Sequence, residues 1–221
     1  MLKEQPDRTI LLHSKITEES VADTLALIRT IQEYDQSILD KKEVYPYVYE
    51  DILTDDETGE SIIDEETGEP LKTLYESTVY GEEYLKHIQP IKLYICSVGG
   101  LVGSGNALVD AILSSKTPIH TYAEGECCSM AVNIFMVGHK RYSTKRVRFM
   151  LHQTSSGVTG KFLDITQHHE EATYLMNQFV NDILTYTKFP KDLLDKIIKE
   201  KIDYYFSAQE AIEFGIADEV I

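Results

Sequence analysis

A chain of 221 residues, 43% of them hydrophobic, is short enough to fold around one core, and a single domain carrying an insertion is expected. Its 37 acidic residues against 21 basic ones give a formal charge of -16, which repels a phosphate backbone and argues against nucleic acid as a ligand. No apolar run approaches the roughly 18 residues of a membrane span, the charged start M-L-K-E-Q-P-D-R is unlike a secretory signal, and the three cysteines have neither disulfide nor zinc spacing. A soluble, cytoplasmic protein with reduced thiols and no structural metal is therefore expected.

Residues 8–13, R-T-I-L-L-H, are expected to form a strand, and residues 16–33, with Val21, Leu25, Ile28 and Ile31 at helical spacing, an amphipathic helix. Residues 50–69 then hold ten carboxylates and no Lys or Arg, with a near repeat, D-D-E-T-G-E at 55–60 and D-E-E-T-G-E at 64–69. Residues 45–85 read as an acidic insertion. Its Thr-Gly turns and the strand-like flanks at 44–49, 61–63 and 74–75 predict a pair of hairpins, serving as a solvated loop or as a docking surface.

Beyond the insertion the pattern becomes regular: a strand at 91–96, a glycine turn at 97–103, a helix at 105–114 and a strand at 118–122. Strand, helix, strand favours parallel pairing. A second turn at 123–128 is expected to feed a helix at 129–137, apolar nearly all round and therefore buried, which Gly138 closes as a left-handed cap. A strand at 147–151 follows, then a long helix at 163–187. There Leu175, Phe179 and Ile183 form one apolar row and Met176, Val180 and Leu184 the next, more than one small domain is expected to cover. Residues 190–200 read as another helix, and S-A-Q-E at 207–210 as a capping box opening a short helix that Gly215 ends. The fold class is α/β.

Three places carry chemistry. In G-E-C-C-S-M-A-V, residues 125–132, Cys127, Cys128 and Ser129 all lie at the start of a buried helix. A nucleophile there faces the positive end of the helix dipole, and the following amide, that of Met130, is free to stabilise an oxyanion. Thiolates are the better nucleophiles and serine the commoner N-cap, so the residues alone leave the choice open. His152 lies directly beyond an apolar strand and before a polar run, well placed for a general base and equally for a hydrogen-bonded edge residue. Asp203 sits among apolar and aromatic residues; a buried acid there needs a partner, and an imidazole N–H would serve. His168 and His169, beside Glu170 and Glu171, read as a solvated helix face and not as a metal site. Gly99, Gly100, Gly103 and Gly105 fit neither a P-loop nor a dinucleotide fingerprint, so no nucleotide cofactor is expected; Gly100 offers an N–H to a ligand.

Taken together, L-Y-I-C-S-V-G-G at 93–100, G-E-C-C-S-M at 125–130, M-L-H-Q at 150–153, G-K-F-L-D-I at 160–165 and F-S-A-Q-E-A at 206–211 resemble the ordered motifs of the Clp protease proteolytic subunit, a caseinolytic serine peptidase. The resemblance covers about residues 88–221 and suggests a divergent member, of the kind a virus encodes. It implies a Clp protease and crotonase type of fold, with repeated β-β-α units in a spiral of parallel sheet and a protruding handle helix. In its register Ser129 is the nucleophile, His152 the base and Asp203 the acid that orients it, with the amides of Gly100 and Met130 as the oxyanion hole. Both cysteines fall on small alanines of the family motif, Val98 and Thr154 on prolines, and Ala131 on a glycine. The resemblance further implies two stacked seven-membered rings enclosing a chamber, an AAA+ unfoldase as partner, unfolded polypeptides as substrates and no cofactor. A catalytically weak ring-forming scaffold, a crotonase-type acyl-CoA enzyme and a serine-lysine signal peptide peptidase are the competing readings.

Overall fold

The computed structural model describes residues 6–39, 45–52, 54, 61–64, 67–79 and 88–221, with backbone alone for 45–52 and 72–79. Two compact units emerge, residues 34–88 and the remainder.

The larger unit is built on one seven-stranded sheet. Strand β1 (Thr9–Leu12) is followed by helix α1 (Glu18–Leu39). Thr17 and Ser20 cap that helix reciprocally, each side-chain oxygen accepting the other's backbone N–H at 3.1 and 3.0 Å. After the smaller unit come β4 (Ile91–Ser97), α2 (Val102–Leu113), β5 (Ile119–Cys128), α3 (Met130–Met136), β6 (Lys140–Ser143) and β7 (Arg148–Leu151). The chain ends with α4 (Phe162–Tyr186), α5 (Lys191–Glu200), β8 (Tyr204–Ser207), α6 (Ala208–Glu213) and β9 (Glu219–Val220).

Strand order is β1-β4-β5-β6-β9, parallel throughout. On its other edge β5 is shared: residues 120–123 pair with β6, and Glu126 to Cys128 pair with β7, again in parallel. Only β8 runs the other way, antiparallel to β7. Alternation along the strands sends Ile91, Leu93 and Ile95 of β4 and Ile119 and Ala123 of β5 into the core. On the opposite face Tyr94, Tyr122 and Tyr142 stand in register and stack, ring centroids 4.6 and 4.8 Å apart, pinning three strands together. Every residue of α3 is buried, as its uniform apolarity demands.

The β7–β8 pair is held from inside by Phe149 and Phe206, directly opposite each other, both fully buried, with rings stacked at 5.3 Å. Phe206 also packs against Phe189, Tyr204 and Phe214. Truncation to alanine would leave a cavity that four fixed rings cannot fill, so Phe206→Ala is expected to cost about 3 to 5 kcal/mol in a denaturant titration. A loss below about 1 kcal/mol would show that the cluster relaxes.

In the smaller unit, β2 (Tyr45–Ile52) and β3 (Lys72–Val79) form one long antiparallel hairpin, register Tyr45↔Val79 to Ile52↔Lys72. Bridges Thr54↔Ser61 and Ile63↔Pro70 extend it, and Gly68, φ 72°, closes the turn in which its N–H donates to the Asp64 carbonyl at 2.9 Å. The turn expected at Thr58-Gly59 lies outside the described residues.

Several local expectations need correction. Residues 123–128 do not leave the sheet as a turn: β5 continues through them over a bulge at Gly125, φ 59°, where the pairing with β4 shifts register. Gly138 is no left-handed cap, since its φ is not positive; it is glycine because a Cβ would lie 2.3 Å from Thr121 Oγ1. Helix α1 runs on to Leu39, and α2 starts at Val102 inside the expected glycine turn. The apolar rows of α4 are covered more fully than expected: Phe179 and Ile183 are buried, and Met176, Val180 and Leu184 pack on the same core. The first turn stays bare, with Phe162 and Leu163 81% and 71% exposed.

Candidate active site

Four chain segments meet at one rim of the sheet because of register. Strands β4, β5 and β7 run parallel, so their carboxyl ends lie at the same edge, and the residues that follow them are Gly99 and Gly100, Ser129, and His152. Strand β8 starts there instead, being antiparallel. Its pairing of Tyr204 with Leu151 sets Asp203, one residue earlier, opposite His152, one residue later.

Ser129 is the junction between β5 and α3. Its backbone N–H donates to the Met150 carbonyl at 2.8 Å, tying the end of β5 to β7, and the Val132 N–H donates back to the Ser129 carbonyl at 2.9 Å. This sharp reversal forces φ to 55° with ψ -126°, and the side chain makes no capping bond. A non-glycine residue at positive φ costs of order 1 to 3 kcal/mol, and here the strain turns Oγ out of the helix and toward the rim. Ser129 Oγ lies 2.8 Å from His152 Nε2.

His152 is partly shielded, its side chain 26% exposed, and the chain beyond it is clamped: Thr154 donates from both its amide and its hydroxyl to Met176 Sδ on α4. Asp203 departs from expectation. It is not buried; its side chain is 62% exposed, and Oδ1 stands 3.7 Å from His152 Nδ1, an ionic contact longer than a hydrogen bond. The reason is β8 itself: Asp203 precedes the first paired residue, where no strand covers it.

The glycine turn packs onto the same junction. Ile16 N–H donates to the Gly99 carbonyl at 3.0 Å, and Leu101 N–H donates to the Ile16 carbonyl at 2.9 Å. No peptide here is cis. Across a trans unit the Gly100 N–H points opposite to the Gly99 carbonyl, away from Ile16 and toward the β5 side on which Ser129 sits. Gly99, φ 91°, is pressed so close that a Cβ there would lie 2.6 Å from the Cys128 carbonyl oxygen, 2.8 Å from Ser129 Cβ and 3.1 Å from the Met130 nitrogen. The Met130 amide is the first of α3 and has no acceptor within its own helix.

Burial and charge separate the side chains of Cys127, Cys128 and Ser129. Burial pushes the Cys127 thiol well above its ordinary value, aided by Cys128 and Cys96. Burial, then Glu126 and Cys96, push the Cys128 thiol up to about 11. Both thiols stay protonated near neutrality, whereas Ser129 alone meets an imidazole. An open cleft of about 550 Å³ flanks His152 and Asp203 and reaches Lys201 and Asn177. Among the described residues no cluster of three or more His, Cys, Asp or Glu is arranged to hold a metal ion, and no helix is long and apolar enough to cross a membrane. Sequence reading missed the Thr154–Met176 clamp, since an i, i+22 contact leaves no local periodicity.

A family model described as Clp protease matches residues 57–221. Among solved structures, a point mutant of ClpP1 from Listeria monocytogenes superposes with a TM-score of 0.64 at 18% identity, covering 97% of this chain and 91% of that one. That likeness is one of fold, an α/β architecture on a mostly parallel sheet, and the family match extends over three-quarters of the sequence. The chain belongs to the Clp protease family.

Proposed function

We propose that this protein is the proteolytic subunit of an ATP-dependent Clp-type serine endopeptidase. The observation that carries the proposal is the 2.8 Å contact between Ser129 Oγ, held out by a strained backbone, and His152 Nε2. With the His152 proton on Nδ1, Nε2 accepts the Ser129 hydroxyl proton as Oγ attacks the scissile carbonyl. The developing oxyanion takes hydrogen bonds from the Gly100 and Met130 amides. His152 then returns the proton to the leaving amine, the C–N bond breaks, and water repeats the sequence on the acyl-enzyme. Asp203 favours the Nδ1–H tautomer and the imidazolium, closing from 3.7 Å as the imidazole gains charge.

One domain, with residues 45–85 inserted in it, would pack into two stacked heptameric rings whose chamber admits only unfolded chains. The bare apolar turn of α4, with Phe162 and Leu163 exposed, supports such packing, because a lone chain gains nothing by leaving them in water. Nothing in the sequence resembles a nucleotide loop, so an AAA+ unfoldase would supply the energy. Three free cysteines suit a cytoplasmic setting.

A catalytically weak ring subunit is the second reading, favoured by the exposure of Asp203. Labelling with a fluorophosphonate alongside native mass measurement separates the two: the peptidase takes one label on Ser129 per chain within a ring assembly, and a ring that takes no label is the scaffold.

A further inference from the structure

We propose that the pocket between the segment leaving the glycine turn and helix α4 selects a long cationic side chain, lysine or arginine, on the acyl side of the bond that is cut. The proposal rests on the peptidase reading and adds the class of residue it prefers. The pocket encloses about 350 Å³ and is lined by residues 101–104, residues 154–156 and one face of α4.

Its position assigns the acyl side. Residues 101–104 continue directly from Gly100, whose amide faces the Ser129 junction. The leaving amine must receive its proton from His152, so it departs along the other cleft, the one lined by His152, Asp203 and Lys201. The acyl residue, still bonded to Ser129, stays beside the glycine turn, with its side chain before the mouth of this second pocket.

Its lining assigns the charge. Leu101, Val102 and Leu175 provide apolar surface for a methylene stem, and Glu18 and Glu171 provide two carboxylates; among the described residues no Lys or Arg lines the pocket. His168, also in the lining, has its Nε2 buried without a hydrogen-bond partner. In the tautomer with the proton on Nδ1, that nitrogen accepts from an ammonium or guanidinium. A leucine side chain would cover the stem surface and leave the imidazole unsatisfied. A glutamate would meet two like charges.

The test uses the full-length protein and fluorogenic peptides that differ only in the residue before the scissile bond: Lys, Arg, Leu or Glu. Two carboxylates, both on exposed residues, are expected to raise kcat/KM for Lys and Arg about tenfold over Leu, with Glu the poorest. The double variant Glu18→Gln with Glu171→Gln should bring Lys down to the Leu rate. Glu171→Lys should move the preference toward Glu, a gain that misfolding cannot imitate. If a fluorophosphonate labels Ser129 and the wild-type protein cuts after Leu as well as or better than after Lys, or the charge reversal leaves the order unchanged, the specificity is overturned while the peptidase reading stands. Absence of both labelling and cleavage of every peptide overturns the two together.

Discussion

Ser129→Ala is expected to lower kcat/KM for peptide hydrolysis by about 10⁴- to 10⁶-fold, leaving only what binding and the amides of the glycine turn can do. The fold should persist, because alanine occupies the same backbone, keeps the Met150 carbonyl bond and loses one hydroxyl that caps nothing. His152→Ala should be about as severe, since among the described residues Nε2 is the base within reach of Oγ. Asp203→Asn should cost only about 10²-fold, well short of the ~10⁴ seen where the acid is buried, because solvent already screens a carboxylate 62% exposed and 3.7 Å away. Iodoacetamide at neutral pH should leave the wild-type rate intact, both flanking thiols being held protonated by burial. Steady-state kinetics on one peptide with the three variants checks the whole ordering. Activity surviving in Ser129→Ala but lost on alkylation would move the nucleophile to Cys127 or Cys128 and remove the mechanism proposed here.

The α/β class and the rim on which the candidate residues gather are readable in the sequence because each strand end is marked by a chemical switch. Apolar V-R-F-M-L gives way to H-Q-T-S-S at 152–156, and apolar L-Y-I-C to S-V-G-G at 97–100. Long helices announce themselves by period, and the Ser207 capping box fixes the start of α6: the Ser207 hydroxyl accepts the Glu210 N–H at 3.2 Å while the Glu210 carboxylate accepts the Ser207 N–H at 2.8 Å. Strands β6 and β9, of four and two residues, carry too few alternations to show a period of two; their conformation comes from neighbours already in place. The same holds for the far half of β5, where Glu124, Gly125 and Glu126 have turn composition. Pairing of Ser97 with Cys127 and of Cys128 with Met150 overrides it.

Side-chain environments are less readable than elements. Asp203 stands in an aromatic sequence and is solvated, because aromatic neighbours along a strand alternate sides and the residue before the first pair is covered by neither. His168 shows the converse. Its neighbours His169, Glu170 and Glu171 are exposed, as a solvated face should be, yet His168 lines the pocket beside residues 101–104 and 154–156 and has one ring nitrogen buried. Burial of this kind depends on chain segments 12 to 67 positions away, which no local pattern records.

Gly99→Ala is expected to be strongly destabilising. The cost has two parts that do not relax together. At φ 91° any side chain is strained by about 1 to 3 kcal/mol, and the new Cβ would also sit 2.6 Å from a backbone oxygen of Cys128 and 2.8 Å from Ser129 Cβ. Neither atom belongs to a flexible tip, so the turn must move as a body, which also breaks the Ile16 bonds to Gly99 and Leu101. A destabilisation of about 3 kcal/mol or more is expected in thermal or denaturant unfolding. Displacing the turn also withdraws the Gly100 amide from the rim, and in the proposed mechanism loss of that oxyanion donor lowers kcat by about 10²- to 10³-fold. Gly103→Ala is the control for stability: its Cβ meets nothing within 4 Å and lies in α2, so its stability should hold or rise, by up to about 1 kcal/mol of helix propensity. Unfolding curves of Gly99→Ala and Gly103→Ala that coincide would show that the glycine turn is free to shift, and the oxyanion role of Gly100 would lose its structural basis.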